Sequence, residues 1–358
     1  MKKIKTAIIG CGGIAKHHAN QYLKLADEFE VVAVCDIIPR RVEAMAKFFG
    51  ISAAYSDYKD VLEIPGLDAV DICTPNYLHS IIAVDALNKG INVLCEKPDA
   101  INVKEAEKMK DAADRNGKLL MVIRNNRFLV QSQYLKKYID DGNFGKIYAA
   151  RCGWQRRRGI PGKGGWFTTK AQSGGGPLID LGVHMIDLTM WLMGNPVPVA
   201  VSGNTYCEFA NNDVSDSVNS SFGDKKADGT FDVEDLAMGY IRFDNGACMQ
   251  IEFSWASNIE EENKFFELRG TKAGASFHST GSDTDNTLKI FTEQYGKTVD
   301  LIPNFNSQIQ GHLGNLKNFA AALRGDAEPV FKPEQGINMI KILEALYESA
   351  RTGKEILL

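Results

Sequence analysis

The sequence predicts a two-part chain: an N-terminal α/β domain built on a doubly wound parallel sheet, then an α+β domain with a mainly antiparallel sheet. Three observations carry that expectation. Residues 1–124 alternate short apolar runs with helical patterns. From Ile147 onward strand-like runs follow one another without helices between most of them. The first strand-to-helix junction is a glycine turn, Gly10-Cys11-Gly12-Gly13-Ile14-Ala15. Regular alternation implies crossover helices and parallel strands, whereas consecutive strands imply antiparallel pairing.

The bulk composition bounds what the chain does. Its 358 residues suit about two domains, and 44% hydrophobic with 24% charged residues is ordinary for a globular protein. A net charge of −4 and a pI near 5.9 give no basic footprint for nucleic acid or an anionic membrane. No apolar run approaches the roughly 20 residues of a spanning helix. The apolar start, Thr6-Ala7-Ile8-Ile9, is soon broken by glycines and Lys16-His17-His18, too short for a signal core, so a cytoplasmic protein is expected. Seven scattered cysteines with no C-x-x-C read as buried small hydrophobes. They form neither a disulfide framework nor a metal site, and no metal is expected.

In the first third, Lys5–Ile9, the glycine turn, a helix and Glu30–Asp36 form a βαβ unit carrying G-x-G-x-x-A. Gly10 makes the tight turn, Gly12 lets the backbone approach a pyrophosphate, and a small third residue allows close helix–strand packing. Gly13 and Ile14 open a helix whose N–H groups face the phosphates. Asp36, ending the second strand, suits the ribose hydroxyls and favours NAD over NADP; Arg40 and Arg41 weaken that preference. Further strands at Leu67–Thr74, Ile91–Cys95 and Lys118–Ile123 alternate with helices at Asn76–Lys89 and Val103–Asn116. Ligands of such sheets sit at the strands' carboxyl ends. This puts Thr74-Pro75-Asn76 with His79, and Glu96-Lys97-Pro98, at the mouth of a cofactor cleft. Lys97 reads either as a surface lysine or as an ammonium that polarises a substrate oxygen.

The second part contributes strand-like runs at Ile147–Gln155, Val197–Glu208, Leu236–Phe243, Ala247–Ala256, Phe265–Arg269 and Leu288–Phe291. Asp244-Asn245-Gly246 is a hairpin signal, Asn211–Gly229 an exposed loop, and Glu334–Ala350 a closing amphipathic helix. Domains are expected at 1–124 and 125–332, with 333–358 packing back on the first. Arg156-Arg157-Arg158 reads as a solvated loop or as the source of one hydroxyl-binding arginine, taken as Arg157. Trp166, flanked by glycines, offers either a flat face to a ring or a packing role. After Gly174-Gly175-Gly176-Pro177 comes an apolar helix bearing Asp180, His184 and Asp187 at i, i+4 and i+7. Three ionisable groups on one buried stripe mark a structural polar network or a reaction site.

Together these residues resemble the Gfo/Idh/MocA oxidoreductases, the family of glucose–fructose oxidoreductase and inositol dehydrogenase. The resemblance spans the chain and rests on the glycine turn, Thr74-Pro75-Asn76 with His79, Glu96-Lys97-Pro98, Asn126-Arg127-Phe128, and Gly174 through Asp180, Gly182, His184 and Asp187. One position departs: Asp99 stands where the family usually has a small or apolar residue. The resemblance implies a Rossmann domain and an open-faced sheet that mediates homo-oligomers, dimeric, tetrameric or larger. It further implies an NAD(P)-dependent dehydrogenase acting on a cyclic polyol, sugar or glycoside, with C3 of a glycoside one option. Lys97, His184 and Asp180 would be catalytic; Arg127, and from the local reading Arg157 and Trp166, are expected on the substrate side as well. Asp187 would orient His184. Alternatives are an enzyme that recycles its NAD, as a transhydrogenase or glycosidase does, and a non-catalytic NAD-binding regulator.

Overall fold

The apolar runs of the first third become strands that are buried on both faces. The computed structural model describes residues 2–215, 217–280, 287–305 and 311–358; Asp216, within the expected 211–229 loop, lies outside them. The first stretch runs β1 (Ile4–Ile9), α1 (Gly13–Lys24), β2 (Phe29–Cys35), α2 (Pro39–Phe49), β3 (Ala54–Tyr55) and α3 (Tyr58–Val61). Then come β4 (Ala69–Ile72), α4 (His79–Asn88), β5 (Asn92–Cys95), α5 (Val103–Asn116) and β6 (Leu120–Val122). Local chemistry sets the helix ends. Pro39 opens α2 and Gly50 closes it at φ +68°, while the Asn102 side chain accepts from Glu105 N (2.9 Å) to start α5.

After these come α6 (Val130–Asp140), β7 (Ile147–Gln155), α7 (Lys170–Ser173), a π turn (Leu178–Gly182) and α8 (Val183–Leu192). The strands β8 (Pro198–Tyr206), β9 (Leu236–Phe243), β10 (Cys248–Ser254), β11 (Asn263–Gly270), β12 (Ala273–Ser279), β13 (Thr287–Gln294) and β14 (Lys297–Leu301) follow. The chain closes with α9 (Gly311–Arg324), α10 (Pro333–Thr352) and β15 (Ile356–Leu357).

These elements fall into two units, Met1–Asn125 with Gly311–Ile340, and Asn126–Gln310 with Lys341–Leu358. In the first, the sheet order is β3-β2-β1-β4-β5-β6, every pair parallel. β1 pairs with both β2 and β4, so the strand order reverses there and a crevice opens at the strands' carboxyl ends. In the second, the order is β14-β13-β12-β11-β7-β10-β9-β8-β15. All neighbours are antiparallel except β7 and β10, which run parallel. Helix α8 packs on β7 and β11, over the face carrying Cys152, Phe266 and Leu268, all buried.

The Rossmann domain and mainly antiparallel second sheet are therefore present as expected, but several elements are not the ones read from the sequence. Strand β12 (AGASFHS) is built from small residues of weak strand propensity, and β14 (KTVDL) is a short polar edge. Helix α9 carries Gly311 and Gly314, which blurred its period. It and the first turns of α10 belong with the first unit and α10 from Lys341 with the second, whereas the expectation kept everything from 125 to 332 together. Among the described residues no helix is long and apolar enough to cross a membrane.

Candidate active site

In the first unit the candidate cofactor residues lie at three strand ends. Gly10 has φ +93°, and a Cβ there would stand 2.6 Å from the Cys73 carbonyl oxygen, so only glycine lets the loop lie against the end of β4. A Cβ on Gly12 meets nothing within 4 Å, so that backbone faces open space. Gly12 caps α1 with no side-chain hydrogen bond, leaving the first-turn N–H groups of Gly13 and Ile14 to an outside acceptor. Asp36 accepts from Cys11 N (2.7 Å) and Ile38 N (2.8 Å), one bond on each oxygen, and keeps lone pairs for hydroxyls. Arg41 lies in the first turn of α2. At the end of β4 the Thr74 hydroxyl is buried without a partner, next to Pro75 and the buried Asn76. An open glycine cradle, an uncapped helix start and an orphaned hydroxyl fit a dinucleotide.

His79 and Glu96, expected beside the cofactor, are both buried and bonded into the strand-end framework. The His79 ring nitrogens stand 2.8 Å from the Pro98 carbonyl oxygen and 3.0 Å from that of Thr74, tying the two strand-end peptides together. Burial pushes its pKa below the ordinary value. Glu96 is 5% exposed. Its Oε1 accepts from His18 Nε2 (2.8 Å) and its Oε2 from the Lys97 backbone N–H (3.0 Å), with His312 Nε2 at 3.4 Å. His18 Nδ1 donates to Asp71 (2.8 Å). Burial would lower the His18 pKa, but the Asp71 charge, with Cys73 and the Asp71 hydrogen bond, more than offsets it and lifts the pKa well above normal. Glu96 is likewise driven well below its usual range: burial opposes this, and the hydrogen bonds from His18 and His312 outweigh it. His18, Glu96 and His312 cluster closely enough to hold a metal, as do His18, Asp71 and Cys73. An imidazolium donating from both nitrogens has no lone pair to ligate one.

Beyond Lys97, Asp99 is buried and ion-paired with Arg124 Nη2. Arg124 N donates to Asn315 Oδ1 (2.9 Å), and the guanidinium lies 4.6 Å over the Phe331 ring. A Cβ on Gly336 would stand 1.9 Å from Asp99 Oδ1, so α10 is notched to admit this carboxylate. Of residues 93–100, only Lys97 escapes full burial.

The second unit presents its own candidate residues at the start of α8. Glu234 accepts from Gly176 N (3.0 Å), Leu178 N (3.1 Å) and the Tyr347 hydroxyl (2.9 Å), capping the π turn. A Cβ on Gly175 would stand 1.9 Å from Tyr347 Oη, and one on Gly176 2.0 Å from the Glu234 carbonyl oxygen, which explains two of the three glycines. The i→i+5 turn adds a residue and breaks the single stripe read from the sequence. Asp180 Oδ2 accepts from Trp255 Nε1 (3.0 Å). Asp187 takes a bidentate pair from Arg127, Nε to Oδ2 (2.8 Å) and Nη2 to Oδ1 (2.7 Å), although its expected task was to orient His184. Of residues 175–192, only Asp180 and His184 are not buried.

The structure places the three other substrate-side candidates as follows. Arg127 is fully buried and holds α8 in place through Asp187. Trp166 stacks on Phe167 (3.8 Å, 26°), so one of its faces is covered. Arg157 is exposed and donates to the Glu260 carbonyl oxygen (3.4 Å). Strand parity decides this last point: Cys152, Trp154 and Arg156 share the α8 face, and Arg157 points the other way. Trp154 lies 6.0 Å from the His184 ring, with Lys264 Nζ 4.8 Å and the Arg156 guanidinium 5.2 Å from its centroid. Lys264 also donates to Asn126 Oδ1 (3.1 Å).

Comparison with known proteins agrees with this layout. A family model described as an oxidoreductase family with an NAD-binding Rossmann fold matches residues 4–124, and the family's C-terminal α/β domain matches residues 136–358. The chain belongs to the Gfo/Idh/MocA oxidoreductases. Among relatives in the family, D-glucoside 3-dehydrogenase of Escherichia coli (strain K12) is 33% identical over 355 residues, covering 99% of this chain and 97% of that one. The NAD(+) form of scyllo-inositol 2-dehydrogenase from Bacillus subtilis (strain 168) is 26% identical over 356 residues, covering 99% and 96%. The fold matches levoglucosan dehydrogenase in complex with NADH at a TM-score of 0.85 and 23% identity over 99% of each chain. Residues 4–124 thus form the NAD-binding Rossmann domain of a Gfo/Idh/MocA member.

Sequence reasoning did not single out Trp154, Trp255 or Lys264, because a tryptophan or lysine in or just after a strand carries no local signal of the face it occupies. Two stability predictions follow from the buried charges. Removing one partner of the Asp99–Arg124 pair by alanine substitution should cost about 3–5 kcal/mol, and the double replacement by leucine and methionine should recover most of it. Urea unfolding reads this, and equal losses in single and double variants would contradict it. For His18, the folded state holds a proton that the unfolded chain releases near pH 6.5. The stability this confers is complete below that pH and is lost as pH rises through the raised folded value. The thermal midpoint of wild type should therefore decline from about pH 7 upward, and a His18→Gln variant should show a flatter slope; equal slopes would refute the assignment.

Proposed function

We propose that this chain oxidises a secondary ring hydroxyl of a small carbohydrate in the cytoplasm, with C3 of a D-glucoside the favoured position, and passes the hydride to NAD. The observation that carries this reading is selective exposure. In two long buried stretches the groups that keep access are Lys97, Asp180 and His184, an ammonium, a carboxylate and an imidazole. Alcohol oxidation needs a base for the hydroxyl proton and a donor for the developing oxyanion. Bound NAD supplies the hydride acceptor, held by Gly10, Gly12, Gly13, Ile14, Asp36, Arg41, Thr74, Pro75 and Asn76.

His184 takes the hydroxyl proton, as an imidazole whose ordinary pKa lies near neutrality can. Lys97 hydrogen-bonds the reacting oxygen and stabilises the charge that forms as the C–H bond breaks. Asp180, steadied by Trp255, accepts from a neighbouring hydroxyl and orients the ring. The tryptophan surface of Trp154 beside His184 suits the apolar face of a pyranose. Glucoside and inositol dehydrogenases among the full-length relatives support the same substrate class. Copies are proposed to associate through the second sheet, on the face where Met238 and Phe291 are exposed beside Arg151 and Glu267.

A screen at 340 nm (the NADH absorbance) of NAD against pyranosides, aldoses and inositols tests the reaction. Turnover of His184→Ala and of Lys97→Ala should fall roughly 100- to 10,000-fold, with NAD affinity retained. Normal turnover in either variant would sink that residue's role.

A further inference from the structure

The strand-end arginine that faces α8 has no assigned task. Arg156 is 6% exposed, and its backbone N–H continues the β7–β10 ladder by donating to the Ser254 carbonyl oxygen (2.9 Å). Its side chain therefore leaves the sheet on the same face as Trp154. The guanidinium sits 5.2 Å from the Trp154 ring centroid, and Nη1 donates to the Gly159 carbonyl oxygen (3.2 Å). Nε, however, is buried without a hydrogen-bond partner, with Glu262 Oε1 at 3.7 Å. Asp180 and Glu262 both act electrostatically to hold the charge against burial. Proteins rarely leave a buried guanidinium N–H unsatisfied, and an exception calls for a reason.

We propose that Arg156 is a substrate-binding residue whose Nε–H donates to an oxygen of the sugar ring next to the oxygen gripped by Asp180. This rests on the reading of Asp180 and His184 as the substrate side of a carbohydrate dehydrogenase. The charge around Arg156 defines the ligand class. Two cations, Arg156 and Lys264, stand among two carboxylates, Asp180 and Glu262. Glu262 accepts from Trp154 Nε1 (3.3 Å) and stands beside Arg156. This set balances within itself, and Lys97 is engaged by the reacting oxygen, so no further positive charge is left for a phosphate or a uronate. What it lacks is one neutral acceptor. A donor on Arg156 and an acceptor on Asp180 read two adjacent ring hydroxyls, one from each side. The site therefore selects a neutral pyranose with an unsubstituted hydroxyl beside the oxidised carbon.

Calorimetric titration of methyl β-D-glucopyranoside into enzyme saturated with NADH tests this, in wild type, Arg156→Lys and Arg156→Met. Lysine keeps the positive charge but has no Nε–H, so it serves if the methionine variant fails to fold. Both should bind the glycoside roughly 10- to 100-fold more weakly, the range of one charge-assisted hydrogen bond, with NADH affinity unchanged. The 2-deoxy and 4-deoxy glycosides complete the cycle. One of them should bind wild type as weakly as the parent sugar binds Arg156→Met, and should lose nothing further in that variant. Equal glycoside affinity in wild type and Arg156→Lys overturns the assignment, as does a deoxy penalty that persists undiminished in both variants. Because binding is read separately from turnover, a wild type that binds the sugar without reducing NAD refutes the proposed reaction and leaves Arg156 judged on its own data.

Discussion

Two carboxylates, Asp71 at the end of β4 and Glu96 just past the end of β5, are buried side by side, and the imidazolium of His18 sits between them with a 2.8 Å bond to each. Without that proton the strand ends would carry two uncompensated charges in a medium that punishes even one. Because His18 belongs to α1, the same contact anchors the helix that begins at the glycine loop. It also fixes Glu96, whose second oxygen holds the Lys97 backbone. One proton thus couples the glycine turn, the switch in strand order and the peptide bearing the proposed catalytic lysine. His79 and Arg124 secure the next two carbonyl and carboxylate positions, so Lys97 projects from a peptide pinned on both sides.

The second unit follows the same economy of charge by different means. Glu234 is held by two backbone N–H groups and a tyrosine hydroxyl; burial raises its pKa while those bonds oppose the rise. Asp187 is neutralised by Arg127. With those ionisable groups matched, Asp180 and His184 are left at the margin of solvent, on a helix start that glycines and a π turn hold against β10. The proposed chemistry lies where charge matching stops, and Arg156, matched in charge yet with Nε short of an acceptor, stands at that margin on the sheet.

Much of this was legible in residue order. The parallel sheet followed from βα alternation, the cofactor from Gly10, Gly12 and Asp36, and the motif at Lys97 from its place just after an apolar strand. Strand parity and long-range pairing were not legible. Three consecutive arginines look alike in sequence, and only the register of β7 separates Arg156 from Arg157. The pairing of Arg127 with Asp187 was hidden because the two lie 60 positions apart in sequence. The π turn left no local mark, since its cause is a capping carboxylate supplied by Glu234, beyond an intervening strand and loop. Small-residue strands such as β12 gain their pairing from neighbours on either side, so their own composition says little.

The most direct measurement uses methyl β-D-glucopyranoside carrying deuterium at a single ring carbon, incubated with NAD and the enzyme, followed by NMR of the reduced nicotinamide. Hydride transfer from C3 predicts deuterium in the NADH formed from the C3-labelled sugar, none from the C2- or C4-labelled sugars, and one NADH for each sugar oxidised. Absence of label in the nicotinamide from every position, or return of the label to sugar without NADH accumulating, would contradict a simple dehydrogenase.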